Sequence, residues 1–357
     1  MSSATEQKPT SALGPLPSEV SPPTSGSGPQ PPARARLAYI LAASHSGSTL
    51  FAMLLGAHPE LCTVGELKAT NLGDATRYRC SCRQLISECS FWNQISHSMA
   101  QRGVPQFSIC DARTSIFEME SRYVQRLLAP LQRGPFLECA RDAALALSPR
   151  WRMHLLETTR RNLALIQALH ETTGAGWIVD SSKVALRLKY LQRIPELEIK
   201  VLRLIRDGRA VSLTYMDDWN FADAADPALR NGGTGEYRPS VRGSMEDAAR
   251  EWRRSNESAD CLVARLPRSQ WIEVRYEDIC AQPVAALQKI CRFLEIDPAK
   301  INLDFRSREQ HVVGNGMRLD SSSEIRLDER WKTHLSVEDL KTFDRVAGSL
   351  NRKYGYV

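Results

Sequence analysis

Residues Ala38 to Glu66 read AYILAASHSGSTLFAMLLGAHPELCTVGE, and the organisation of the whole chain turns on this segment. The apolar run Leu37 to Ala43 has the length and bounding expected of a buried strand. A turn of small residues comes next, Ser44-His45-Ser46-Gly47-Ser48-Thr49, and Leu50 to Leu55 then resumes as an apolar helix start. Strand, small-residue loop and helix N-terminus together suit an anion: unencumbered backbone N–H groups, hydroxyl donors and the helix dipole all favour negative charge. A phosphate or sulfate fits that geometry. A plain strand-to-helix turn capped by Ser or Thr is the competing reading of these residues alone.

Downstream segments alternate as α/β units do. Gly176 to Asp180 reads as a short strand with a helix from Val184 to Leu191. Glu198 to Ile205 (EIKVLRLI) is a second buried strand, with a helix beginning at Gly208. Trp271 to Arg275 is a third strand, with a helix after it from Pro283 to Leu294. Strands joined by helical crossovers imply a parallel sheet covered by helices on both faces, and ligands in such folds sit at the carboxyl ends of the strands. Those ends carry Ser44 to Thr49, Asp180 to Lys183, Arg206-Asp207 and Tyr276.

Other segments carry less chemistry. Residues 1–35, rich in Pro, Ser, Gly and Thr, read as a disordered tail, and 36–357 as one folded domain. Thr114 to Leu131 and Trp151 to Thr172 show the three- and four-residue apolar spacing of amphipathic helices. Helices are also expected over Met245 to Leu266 and from about Ser336 to Arg352. Leu72 to about Val104 reads as irregular, and Asp217 to Arg242 as a mobile loop over the site. Cys80, Cys82 and Cys89 offer C-x-C plus a third thiol, for which Cys62 or His97 is a conceivable fourth zinc ligand. The paired C-x-x-C form is lacking, so buried structural thiols and no metal are the expectation.

Composition bounds the partners. Hydrophobic residues make up 42% and charged residues 25% of the 357, ordinary for a folded domain, and the net charge of +6 is spread without a dense basic block. Nucleic acid is therefore not an expected partner. There is no apolar run long enough to span a membrane and no signal-peptide pattern at the start, and nine cysteines without an export signal fit a reducing compartment. A cytoplasmic location is expected, and the oligomeric state is not legible.

With these segments in place, the chain resembles the sulfotransferases that use 3′-phosphoadenosine-5′-phosphosulfate (PAPS) as donor, over nearly all of Arg36 to Val357. SHSGSTL is similar to that family's 5′-phosphosulfate loop, RLIRDGRAVSLTY to its 3′-phosphate motif, and VRYEDICAQPVAALQKICRFLEI to a recurring strand, Tyr-Glu-Asp and helix segment. IVDSSKVALRLKYLQ resembles a segment of bacterial and Golgi-type members, and Ala57-His58-Pro59 with the later Gly-Glu resembles the tyrosylprotein sulfotransferases.

The resemblance implies a three-layer, P-loop-NTPase-like α/β fold and transfer of a sulfuryl group, without a metal, to the hydroxyl or amine of a carbohydrate, small-molecule or protein acceptor. It implies that Ser44, His45, Ser46, Gly47, Ser48 and Thr49 hold the 5′-phosphosulfate. Arg206 with Thr214, or Ser212 as fallback, would hold the 3′-phosphate, with Tyr276 and Arg318 also at the nucleotide. It implies a base at Glu66, twenty-one residues past His45, where the family's Gly-Glu-Glu is here Gly65-Glu66-Leu67. His45 stands where the family usually has Lys or Arg beside the leaving group, so Lys183 is expected to share that role.

Two other classes compete: a P-loop kinase, and a non-catalytic nucleotide-binding scaffold of the same fold. The loop lacks the G-x-x-x-x-G-K-[ST] pattern that a kinase needs to reach β- and γ-phosphates. Adenosine 3′,5′-bisphosphate should raise the thermal unfolding midpoint while magnesium-ATP leaves it unchanged. The reverse ranking in a thermal-shift assay would favour the kinase.

Overall fold

In the computed structural model, residues 1, 34–68, 72, 74–117, 121–128, 134–221, 223–233 and 243–357 are described. The expected N-terminal tail therefore lies almost wholly outside the described residues, as does part of the loop expected over 217–242.

The first strand, β1 (Ala35–Leu41), is buried from Leu37 onward on both faces, which is why it reads as continuous apolar sequence. The chain continues through α1 (Ser48–Gly56), β2 (Leu61–Thr63), α2 (Ser90–Gln101), α3 (Arg122–Leu128), α4 (Gly134–Ala146) and α5 (Pro149–Thr173). Then come β3 (Trp177–Lys183), α6 (Ala185–Leu191), β4 (Leu197–Ile205), α7 (Gly208–Met216), α8 (Asp218–Phe221), α9 (Met245–Val263), β5 (Trp271–Arg275), α10 (Tyr276–Ala281) and α11 (Pro283–Leu294). The five strands are all parallel, in the order β2-β3-β1-β4-β5. β1 is the centre, and the chain crosses from β3 over β1 to β4, so the two halves of the sheet part at the end of β1.

Alternation along β1 builds a core on each face. Leu37, Tyr39 and Leu41 join Trp92, Ile95 and Met99 of α2 and Leu165, Ile166 and Leu169 of α5. Ala38 and Ile40 point the other way, to Phe51 and Leu54 of α1 and Leu287, Ile290 and Leu294 of α11. Helix α1 is buried at every residue except Thr49, which explains its apolar sequence on all sides. Each fully buried Leu or Phe there contributes roughly 1.5–3 kcal/mol. A third cluster ties Val211 of α7 to Trp252 of α9 and to Phe343 near the C-terminus.

The strand and helix expectations at 176–215, 271–294 and 245–266 hold within a few residues, with β3 extending three residues further, through Lys183. The C-terminal helix is three joined pieces, Val337–Phe343, a π-helical Asp344–Gly348 and Ser349–Lys353, started by a capping box of Ser336 and Asp339.

Two expectations change. The segment 72–104 is not irregular throughout, because it holds α2, whose buried face is Trp92, Ile95 and Met99. The helix expected from Thr114 begins only at Arg122. Thr114 itself is fully buried: its hydroxyl donates to the Leu67 carbonyl, and its own carbonyl accepts from Asn162 Nδ2 at 2.9 Å and Arg187 Nη1 at 2.7 Å. Side-chain donors take the place of the i+4 amide that a helix would have supplied.

Gly47 shows how tightly the loop after β1 is built. It caps α1 at φ 84°, and a Cβ there would lie 2.3 Å from the Tyr276 ring. Gly47→Ala should destabilise the fold by about 1–3 kcal/mol, combining overpacking with left-handed strain. Urea unfolding measures this, and an unchanged midpoint would contradict the packing described.

Candidate functional site

The polar residues that the strand ends deliver meet around the loop 44–49. The backbone turns sharply there, with His45 at φ 62° and Gly47 at φ 84°, and no side chain caps α1. The first-turn amides of α1 are thus open to an anion from outside the helix. Ser46 and Ser48 are buried, while Ser44, His45 and Thr49 are half-buried. Tyr215 of α7 hydrogen-bonds Ser44, and its ring meets the His45 imidazole edge-on at 4.8 Å.

From β4, Arg206 reaches across to this loop. It is buried, donates to the His45 carbonyl at 2.9 Å, and lies 4.3 Å above the Tyr276 ring. Its other terminal nitrogen donates to the Asp328 carboxylate at 3.0 Å. Arg330 grips the same carboxylate at 2.7 and 2.9 Å. Burial raises the Asp328 carboxyl, but Arg330 and Arg206 outweigh it and hold it far below the carboxylate range. On α7, Thr214 turns its hydroxyl back to the Ala210 carbonyl at 3.1 Å. Ser212 is fully buried, and its hydroxyl has no partner among the described residues. Of the two hydroxyls expected beside Arg206, the one kept in reserve is the one left unsatisfied.

On the other side of β1, β3 ends in Lys183, whose backbone is left-handed at φ 70°. Its ammonium donates to a Glu66 carboxylate oxygen and to the Ser181 carbonyl at 3.2 Å. Lys68 holds the second Glu66 oxygen at 3.0 Å. Burial pushes the Glu66 carboxyl up, while Lys183 and then Lys68 pull it down to about 2, so it is ionised at neutral pH. Beneath this pair sits Asp180, fully buried. It accepts from the amides of Leu67 at 3.1 Å and Ser182 at 2.8 Å, and pairs with Arg187 at 3.3 Å.

The arrangement is a central anion loop with a carboxylate–ammonium pair on one flank and a buried guanidinium on the other. The family model described as "Sulfotransferase family" matches residues 38–299, which contain all of these elements except Asp328 and Arg330. The chain belongs to the sulfotransferase family. Solved structures similar to this sulfotransferase include the sulfotransferase domain of the curacin biosynthetic pathway (16% identity, TM-score 0.44, 91% of this chain and 99% of that one). Another is the sulfotransferase STF9 of Mycobacterium avium (12% identity, TM-score 0.44, 92% and 78%). A third is mouse sulfotransferase SULT7A1 complexed with PAP (12% identity, TM-score 0.38, 90% and 89%). No curated protein matches the chain.

The residues read from the sequence are mostly brought together in this sulfotransferase: the loop 44–49, Glu66, Lys183, Arg206, Ser212, Thr214 and Tyr276 all lie at or beside the strand ends. Arg318 is not among them. It is fully buried over the Tyr78 ring, and its two terminal nitrogens donate to the carbonyls of Gly314, Asn315 and Arg79. A cleft of about 580 Å³ lined by Arg79, Arg306, Met317 and Asp320 shares no side chain with the site.

Three partners were not read from the sequence. Lys68 was within sight, two residues past Glu66, and Tyr215 directly follows Thr214. Asp328 carries no local signal that would join it to Arg206.

His45 is the site's departure from a fixed cation. Burial, then the nearby Lys183 and Arg206, lower its imidazole to about 4, so it is neutral at pH 7. Lys183 and Arg206 are the cations near its ring. Because folding disfavours the imidazolium, the unfolded chain takes up the extra proton first. His45 therefore withdraws stability as pH falls from about 6.5 through about 4. An NMR titration of the imidazole signals, assigned by comparison with His45→Gln, should show one midpoint near 4. A midpoint near 6.5 for His45 would contradict this environment.

Proposed function

We propose that this chain transfers a sulfuryl group from PAPS to the hydroxyl or amine of a carbohydrate, small-molecule or protein acceptor. The observation that carries the reading is the Glu66–Lys183 pair beside the uncapped start of α1, with Arg206 facing the same loop. A base, a cation and an anion cradle within one strand-end cluster are the parts that in-line sulfuryl transfer needs.

In this reading the backbone amides and hydroxyls of Ser46, Gly47, Ser48 and Thr49, with Ser44, cradle the 5′-phosphosulfate. Arg206 forks onto the 3′-phosphate, displacing Asp328, and the unsatisfied Ser212 hydroxyl adds a donor; Thr214 is its alternate. Tyr276 serves as the platform that keeps Gly47 and Arg206 in place. Arg318 drops out of the nucleotide set, since both of its terminal nitrogens already donate to carbonyls and the side chain is fully buried.

The acceptor oxygen attacks sulfur in line as the bond from sulfur to the bridging phosphate oxygen breaks. Glu66 takes the acceptor proton. Lys183 shifts from Glu66 towards the bridging oxygen as negative charge grows there, and losing that ammonium makes Glu66 a better base. Neutral His45 donates a hydrogen bond to the same leaving phosphate. No step requires a metal ion.

Glu66→Gln should lower kcat by about 10²–10⁴-fold, the usual range for loss of a general base, while adenosine 3′,5′-bisphosphate still stabilises the variant. Radiolabelled PAPS screened against hydroxyl and amine acceptors supplies the assay. Full turnover in the variant would remove Glu66 as base, and absence of turnover on every acceptor class, with nucleotide binding intact, would favour the non-catalytic scaffold.

A further inference from the structure

Away from the strand ends, the fold gathers four soft ligands that the function above leaves unused. Cys80 and Cys82 lie on a tight turn closed by Cys80 N–H to Gln84 O at 3.0 Å and Arg83 N–H to Cys80 O at 2.8 Å, with Arg83 left-handed at φ 68°. Cys89 stands at the N-cap position of α2. His311 arrives from far along the chain, stacked on the Phe91 ring at 4.3 Å with the planes 4° apart. The ligand atoms of all four lie within 4.8 Å of one another.

From this geometry we infer that Cys80, Cys82, Cys89 and His311 form a structural zinc site. Three of the six separations are close to the edges of a zinc tetrahedron. Zn–S bonds near 2.3 Å and Zn–N bonds near 2.05 Å require S···S edges of about 3.8 Å and S···N edges of about 3.6 Å. Cys82 and Cys89 sulfurs are 3.7 Å apart, and His311 Nδ1 is 3.4 Å from Cys89 and 3.8 Å from Cys80. A disulfide between Cys82 and Cys89 would need about 2.05 Å. Three sulfurs and one imidazole are a set that selects zinc over hard cations.

The surroundings are those of a metal-bound thiolate group. The amides of Cys82, Gln84 and Trp92 donate in turn to the sulfurs of Cys80, Cys82 and Cys89. The other ring nitrogen of His311 faces the Glu309 carboxylate at 3.9 Å, which favours Nδ1 as the ligand atom. On binding, each thiol gives up its proton to solvent, and the three thiolates with neutral His311 leave the centre with one net negative charge. The two ligands that the sequence offered take no part: Cys62 lies in β2, and His97 pairs with Gln101 at 3.1 Å on α2.

The site would staple the 78–89 loop to the 310–314 segment. That segment pairs Val313 with Val64 at 3.0 Å, one residue before Gly65 and two before Glu66, and Gly314 with the Tyr78 hydroxyl at 2.7 Å. Zinc would hold the acceptor side of the cleft without touching the reaction.

Metal analysis of the full chain, purified without chelator, tests this. About one zinc per chain is expected, falling to near zero in Cys82→Ser and in His311→Ala and unchanged in the exposed-cysteine control Cys139→Ser. Cobalt substitution of the wild-type chain gives the same answer without a variant. Thiolate-to-cobalt charge transfer with intense tetrahedral d–d bands supports the site. No zinc in either the purified or the zinc-supplemented chain, zinc retained in both variants, or weak octahedral cobalt bands would each overturn it.

Discussion

Asp180, fully buried at the end of β3, accepts hydrogen bonds from Leu67 and Ser182 and pairs with Arg187, and both members of the Glu66–Lys183 pair hang from it. Leu67 comes directly after Glu66, and Ser182 precedes Lys183, so one carboxylate positions Glu66 and Lys183 together. Arg187 also donates to the Thr114 carbonyl at 2.7 Å and to Asn162 Oδ1 at 2.6 Å, drawing α5 and α6 into the same network. A buried pair of this kind adds little net stability over an apolar equivalent, yet removing one partner typically costs about 3–5 kcal/mol. Its effect here is on geometry.

Around that anchor the backbone is held away from relaxed conformations. His45 and Lys183 are non-glycine residues at positive φ, and Gly47 and Gly65 share that region. Gly65 has no room for a side chain: a Cβ would lie 2.1 Å from the Val313 carbonyl. Such strain persists only where neighbours over-determine the chain, and here the parallel sheet, Tyr276 and the Val64–Val313 pairing do so.

Parallel strands buried on both faces appear in the sequence as unbroken apolar runs, so the polar residues at the end of each run stand out. β1 and the buried second half of β4 were legible for that reason, whereas β5 lies at the sheet edge with Val274 alone buried. β2, three residues long between Glu60 and Val64, was too short to give a pattern. Thr114 looked helical because its neighbours have the right spacing, yet its carbonyl serves Asn162 and Arg187 from elsewhere in the chain. The same limit hid Asp328 from Arg206 and His311 from Cys89, since pairings separated by more than a hundred residues leave no periodicity to read.

If Arg206 takes the 3′-phosphate as proposed, its contact with Asp328 makes that flank of the cleft an exchange site. Arg206 is already neutralised by a carboxylate that Arg330 also holds, so an incoming anion replaces one negative charge with another. Anion exchange of this kind releases a partner as it gains one, and its ionic-strength dependence is shallow compared with filling an open cationic pocket. Such an exchange would also grade ligands by charge: a monoanion would gain little over Asp328, whereas a dianionic phosphate would gain more.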